Sequence, residues 1–108
     1  CGIAGFVAIE NRRSPAEAES LLFKMALRLR HRGPDHQAVS WDAKSGVGLA
    51  HARLSVVDLS SAAHQPMESH DGRFRIVFNG EIYNFKALRS QVSGVVWRST
   101  SDTEVFLE

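Results

Sequence analysis

The chain opens on CGIAGFVAIE, and residues 2–9 of it are apolar on both sides of a period-two repeat. Ile3, Gly5, Val7 and Ile9 fall on one side and Ala4, Phe6 and Ala8 on the other, the pattern expected of a strand buried on both faces. The only cysteine is residue 1, immediately ahead of this strand. A single cysteine makes no internal disulfide, so its thiol is kept for chemistry or packing in a reducing compartment, and a cytoplasmic location is expected. The chain has 108 residues, 44% hydrophobic and 23% charged, which fits one globular domain or a part of one. Its 13 basic and 12 acidic residues are scattered, so neither nucleic acid nor a membrane surface is an expected partner. No apolar run approaches the ~20 residues that cross a bilayer.

The local signals alternate between strand and helix. SPAE at 14–17 combines a Ser cap, Pro at the first helical position and Glu three residues after the cap. Leu21, Leu22, Met25 and Leu29 continue it at helical spacing until Gly33 and Pro34 stop it. Residues 39–52 read as a hairpin turning at DAKSG, and RLSVVDLS as an extended continuation. A loop at 60–72 precedes a strand at 74–79 that ends at Gly80. NFKALRSQV is expected to be a short helix with Phe85, Leu88 and Val92 inward, VVWR a strand, and Ser101 to Glu104 a second capping box. That last helix would be cut short, so the chain is expected to be a piece of a larger unit.

Cys1 carries a thiol with an ordinary pKa of ~8.5 and an α-amine of ~7.7–8.0 on one residue, so the amine can take the thiol's proton. Taken alone it reads as readily as a processed start site or a small buried hydrophobe; a lipid-anchored cysteine would normally lead into a polar tether. Asn79 and Gly80, closing a strand, are either paired donors of an oxyanion hole or an ordinary turn. Arg53, beside Ala50 and Ala52, is placed to take a carboxylate with two parallel hydrogen bonds or simply to face solvent. Asp102 and Glu104 either start a helix or hold a ligand's ammonium. The five histidines match no zinc spacing and read as solvent or loop residues, so no metal is expected. No phosphate-binding glycine motif is present, which leaves ATP no seat here.

CGIAGF, RHRGPD at 30–35, RLSVVD at 53–58, HQP at 64–66, FNGEIYN at 78–84 and SDTEV at 101–105 together resemble the class II glutamine amidotransferases, most closely the glutamine-hydrolysing asparagine synthetases. The resemblance covers essentially all of residues 1–108 and implies an α+β, N-terminal nucleophile (Ntn) hydrolase-like fold: two antiparallel sheets sandwiched between helices, incomplete in this chain. It implies that Cys1 attacks the glutamine side-chain carbonyl with its own amine as base, and that Asn79 and the Gly80 N–H form the oxyanion hole. Arg53 is then expected to hold the substrate α-carboxylate and Glu81 and Asp102 its α-ammonium, with backbone contacts at Leu54 and Val57. The implied products are glutamate and ammonia. Ammonia would pass to a C-terminal synthetase domain, absent from this chain, that uses ATP and magnesium to make asparagine from aspartate. Transfer to a sugar or another carboxylate, or a non-catalytic regulatory or assembly module that keeps the fold, are the alternatives, and a homodimer is left open. The resemblance assigns RHRGPD no catalytic duty.

Overall fold

The computed structural model describes residues 1–10, 13–56 and 58–108. It is an α+β arrangement with two small antiparallel sheets. β1 (Gly2–Val7), α1 (Pro15–Arg28), β2 (His36–Asp42) and β3 (Val47–Arg53) come first. β4 (Met67–Glu68), β5 (Arg75–Ile76), α2 (Phe85–Arg89) and α3 (Asp102–Leu107) follow, with one 3-10 turn at Ser61–Ala63.

β3 is the central strand of the first sheet, antiparallel to both neighbours. Gly2 lies opposite Ala52 and Val7 opposite Val47 on one side; His36 lies opposite Arg53 and Asp42 opposite Val47 on the other. The β2–β3 hairpin turns where DAKSG is expected to turn it. The Asp42 carboxylate accepts from the Lys44 N–H at 3.0 Å and the Ser45 hydroxyl at 2.6 Å, and Gly46 takes a φ of +69° that a side chain would resist.

α1 begins as the sequence predicts. Ser14 Oγ accepts from Glu17 N–H at 3.2 Å, and the Glu17 carboxylate accepts from Ser14 N–H at 2.9 Å. Ala18, Leu22 and Ala26, spaced by four, form its buried stripe. Leu22 and Ala26 meet Ala50 of β3 in the core, flanked by Ala4, Phe6, Met25, Val39 and Trp41. Of the expected inward set, Leu22 is fully buried while Leu21, Met25 and Leu29 are only half-buried, because small alanines occupy the closest approach.

Several expectations are corrected. β1 is not buried on both faces: Ala4 and Phe6 face α1, but Ile3 is 48% and Val7 67% exposed, and Ile9 lies beyond the strand almost fully exposed. Helix covers one face only, and these residues supply no second layer over that end of β1. β3 ends at Arg53, and the described residues of RLSVVDLS after it are not strand; Val57 lies outside the described residues. The strand at 74–79 shrinks to Arg75–Ile76, and VVWR has no strand pairing. α2 buries none of its residues fully, with Leu88 at the surface. At α3 Ser101 caps Thr103 N–H at 3.0 Å, but Glu104 does not complete the box. Its carboxylate turns back to the N–H groups of Arg98 at 2.9 Å and Ser99 at 2.8 Å.

Leu22→Ala is expected to lower the unfolding free energy by about 2–5 kcal/mol, as for other leucines removed from tight cores. Ile9→Ala should stay within about 0.5 kcal/mol of the parent. Denaturant midpoints of the two variants check the contrast.

Candidate active site

Cys1 sits at the head of β1, where pairing of Gly2 with Ala52 brings it beside the exit of β3. Its α-amino group donates to the Arg32 carbonyl at 2.9 Å. Its sulfur lies 3.4 Å from the Leu54 N–H nitrogen and 3.6 Å from the Leu54 carbonyl oxygen. Both reactive groups are therefore held by backbone, which cannot swing away as a side chain can.

The RHRGPD loop is brought to Cys1 by its glycine and its aspartate. A Cβ on Gly33 would lie 2.2 Å from the Ala52 carbonyl group, so only glycine permits this approach of the loop to β3. The Asp35 N–H donates to the Arg53 carbonyl at 3.0 Å, and the Asp35 carboxylate accepts from Ser55 N–H at 2.8 Å. The loop thus fastens the segment that carries Leu54.

A cleft of about 390 Å³ opens beside the thiol, within the size range of small-molecule sites. Cys1, Arg53, Leu54, Asn79, Gly80, Glu81 and Asp102 all line it. The eighth expected site residue, Val57, falls outside the described residues. Arg53 is nearly buried and already donates to the Ser60 carbonyl at 2.9 Å and to the Asp58 carbonyl, which fixes its guanidinium in the cleft wall. Asp102, also buried, accepts from Ile82 N–H at 2.8 Å through one carboxylate oxygen, tying the start of α3 to the segment after Glu81.

Three further residues brace the cleft. Gln65 accepts from Phe78 N–H at 2.5 Å and donates to the Thr103 hydroxyl at 3.3 Å, so one buried amide sets the residue preceding Asn79 against α3. Asp58 accepts from Ser60 N–H at 2.8 Å, and from Thr100 through its N–H at 2.8 Å and hydroxyl at 3.0 Å. These hydrogen bonds, Ser60 first and Thr100 next, hold the Asp58 carboxyl well below the usual carboxylate range. Glu104, 1% exposed, would be raised by burial, but hydrogen bonds from Ser99 and Arg98 outweigh that and lower its pKa.

The histidines do not all behave as solvent or loop residues. His51 is on β3 with no exposed surface and lines the cleft. Burial pushes its pKa down to about 4, and the positive charges of the α-amine and Arg53 act the same way against the backbone of Phe78. His36 on β2 stacks on His64 at 3.5 Å between ring centroids, and burial lowers both. Among the described residues no cluster of three or more His, Cys, Asp or Glu could hold a metal ion.

The glutamine amidotransferase domain family matches the chain over residues 1–108, and the chain belongs to that family. It is 37% identical over 107 residues to glutamine-hydrolysing asparagine synthetase 2 of Bacillus subtilis, covering 99% of this chain and 14% of that protein. It is 37% identical over 106 residues to glutamine-hydrolysing asparagine synthetase 3 of Arabidopsis thaliana, covering 97% and 17%. It is also 33% identical over 100 residues to amidase chry2 of Gibberella zeae, covering 86% and 15%. The chain therefore spans less than a fifth of the length of these relatives. No helix among the described residues is long and apolar enough to cross a membrane.

Asp58 supplies the pH prediction. Its folded pKa is depressed, so its contribution is full above the unfolded value near 3.8 and fades as pH falls through that value towards the folded one. Asp58→Asn should lower stability at neutral pH and flatten the acid limb of the stability curve. Chemical denaturation across pH 2–7 checks this.

Proposed function

We propose that this domain hydrolyses glutamine to glutamate and ammonia through a thioester on Cys1, in an Ntn hydrolase-type fold. The observation that carries the reading is the joint lining of one cleft by Cys1, Asn79 and Gly80, with Arg53, Glu81 and Asp102 around it. A zwitterionic amino acid needs one cationic and one anionic contact to be preferred over a plain amide, and those residue types are present.

In this mechanism the α-amine takes the thiol proton, and the thiolate attacks the carboxamide carbon. The carbonyl oxygen gains the negative charge and is received by the Asn79 side-chain amide and the Gly80 N–H. The C–N bond breaks as the ammonium of Cys1 returns its proton to the leaving nitrogen, giving ammonia and the γ-glutamyl thioester. Water then cleaves the C–S bond, releasing glutamate and restoring the thiol. Arg53 holds the α-carboxylate with the donors left free by the loop carbonyls, and Glu81 and Asp102 hold the α-ammonium. Leu54 and Val57 add backbone contacts. The Arg32 carbonyl gives RHRGPD a part, since its hydrogen bond to the α-amine directs the amine lone pair.

Residues 1–108 are read as the N-terminal portion of the glutaminase domain. Ammonia passes to a synthetase domain that uses ATP and magnesium, with aspartate proposed as acceptor because two of the relatives are glutamine-hydrolysing asparagine synthetases. Similarity to an amidase favours keeping another acceptor as the second reading.

In the complete gene product, Cys1→Ala should abolish glutamine-dependent turnover while sparing turnover with free ammonia. Asn79→Ala should reduce glutamine hydrolysis by about 10²–10³-fold, the typical loss of one oxyanion donor. Glutamate release assays with both nitrogen sources check this, and equal glutaminase activity in wild type and Cys1→Ala rejects the nucleophile.

A further inference from the structure

Gln65 is buried in the cleft wall, and the mechanism above gives it no part. Its Oε1 accepts from the Phe78 N–H at 2.5 Å, and its Nε2 donates to the Thr103 hydroxyl at 3.3 Å. Phe78 immediately precedes the Asn79–Gly80 pair, and Thr103 immediately follows Asp102. The pair needs a holder of this kind: β5 ends at Ile76, and residues 77–82 are neither helix nor strand, so no ladder fixes where Asn79 and Gly80 lie. Phe78 is the fixed point of the segment. A Cβ on Gly80 would lie 2.6 Å from Phe78 Cζ, so the ring folds against Gly80, and it also meets Phe106 of α3 at 5.4 Å between ring centroids. With its ring on Gly80 and its N–H on Gln65, Phe78 carries the position of Gln65 to both donors. The other substrate contacts have holders of their own: Asp102 is tied to the Ile82 N–H at 2.8 Å, and Arg53 to the Ser60 carbonyl at 2.9 Å.

We propose that Gln65 is a positioning residue for the oxyanion hole: it holds the Phe78 peptide so that the Asn79 amide and the Gly80 N–H meet the carbonyl oxygen as that oxygen gains charge. The inference rests on the glutaminase reading. Gln65 does not touch the substrate in this role; it acts through the backbone of Phe78. Without its oxygen the Phe78 N–H is left unpaired next to the donor pair, and the segment relieves that cost by moving. Donors of this kind act on charge that is present only in the transition state, and a misplacement of about 1 Å can cost about 10²-fold in rate. Arg53 and Asp102 keep their own hydrogen bonds, so binding of the α-carboxylate and α-ammonium is largely retained. Loss of Gln65 therefore falls on kcat and much less on KM.

The test measures glutamate release from glutamine in the complete gene product. Gln65→Leu is expected to lower kcat about 10–100-fold and to change KM less than about threefold. Gln65→Glu, which keeps an acceptor for the Phe78 N–H, should recover most of the loss. Gln65→Asn, whose oxygen is drawn back by one carbon, should fall between them, and it decides the matter if the leucine variant does not fold. In an Asn79→Ala background, Gln65→Leu should cost much less than it does alone, because one of the two donors it places is already gone. A general loosening of the fold would instead cost the same in both backgrounds. An unchanged kcat, a loss confined to KM, or equal costs in the two backgrounds overturns the role of Gln65 alone. Wild-type protein that releases no glutamate from glutamine while it turns over free ammonia rejects the glutaminase reading beneath it.

Discussion

The arrangement depends on backbone groups that hold both ends of Cys1. The Arg32 carbonyl takes the α-amine, and the Leu54 peptide groups flank the sulfur. Because a thiol and an amine on one residue act together only when their relative geometry is fixed, rigid holders matter more here than any single charge. They are in place because β3 is central: β1 delivers Cys1 to one side of its end, and the loop leading to β2 crosses that end through Gly33. The packing of Leu22 on Ala50, remote from the cleft, keeps these strands under one helix.

The opposite wall is assembled by long-range polar contacts rather than by a continuous core. Gln65 joins Phe78 to Thr103, Asp58 joins its own loop to Thr100, and Asp102 joins Ile82 to α3. Each side chain satisfies backbone donors in segments that have little regular structure, where unpaired groups would be costly. Arg53 works in both walls, since its main chain closes the sheet while its guanidinium holds the Asp58 and Ser60 carbonyls.

Much of this was legible in the sequence where the signal is local. The Ser14–Glu17 box, the hairpin and the turn at DAKSG are set by neighbours a few residues apart, and they form as read. Failures occurred where the outcome depends on distant partners. Apolar alternation in GIAGFVAI could not reveal that only one face of β1 is covered by helix. Glu104 looked like a capping residue, but Arg98 and Ser99 compete for its carboxylate and win. Cys1, Arg53, Leu54, Asn79, Gly80, Glu81 and Asp102 of the cleft were named in advance because they stand in motifs. His51 was not, although AHARLS placed it two residues before Arg53; nothing local marks a strand histidine as one that turns into a cleft. Arg32, Gly33, Asp35, Asp58 and Gln65 stood within quoted motifs, but their contacts lie 13 to 42 residues away along the chain or act through backbone.

The proposed joint action of the Cys1 sulfur and the Asn79 and Gly80 donors on an amide carbonyl is tested most directly by an experimental structure of the protein alkylated with a glutamine-like chloroketone. The adduct is expected on Cys1 Sγ, with the former carbonyl oxygen about 2.7–3.1 Å from both Asn79 Nδ2 and Gly80 N. An adduct on another residue, or an oxygen turned away from both donors, would contradict it.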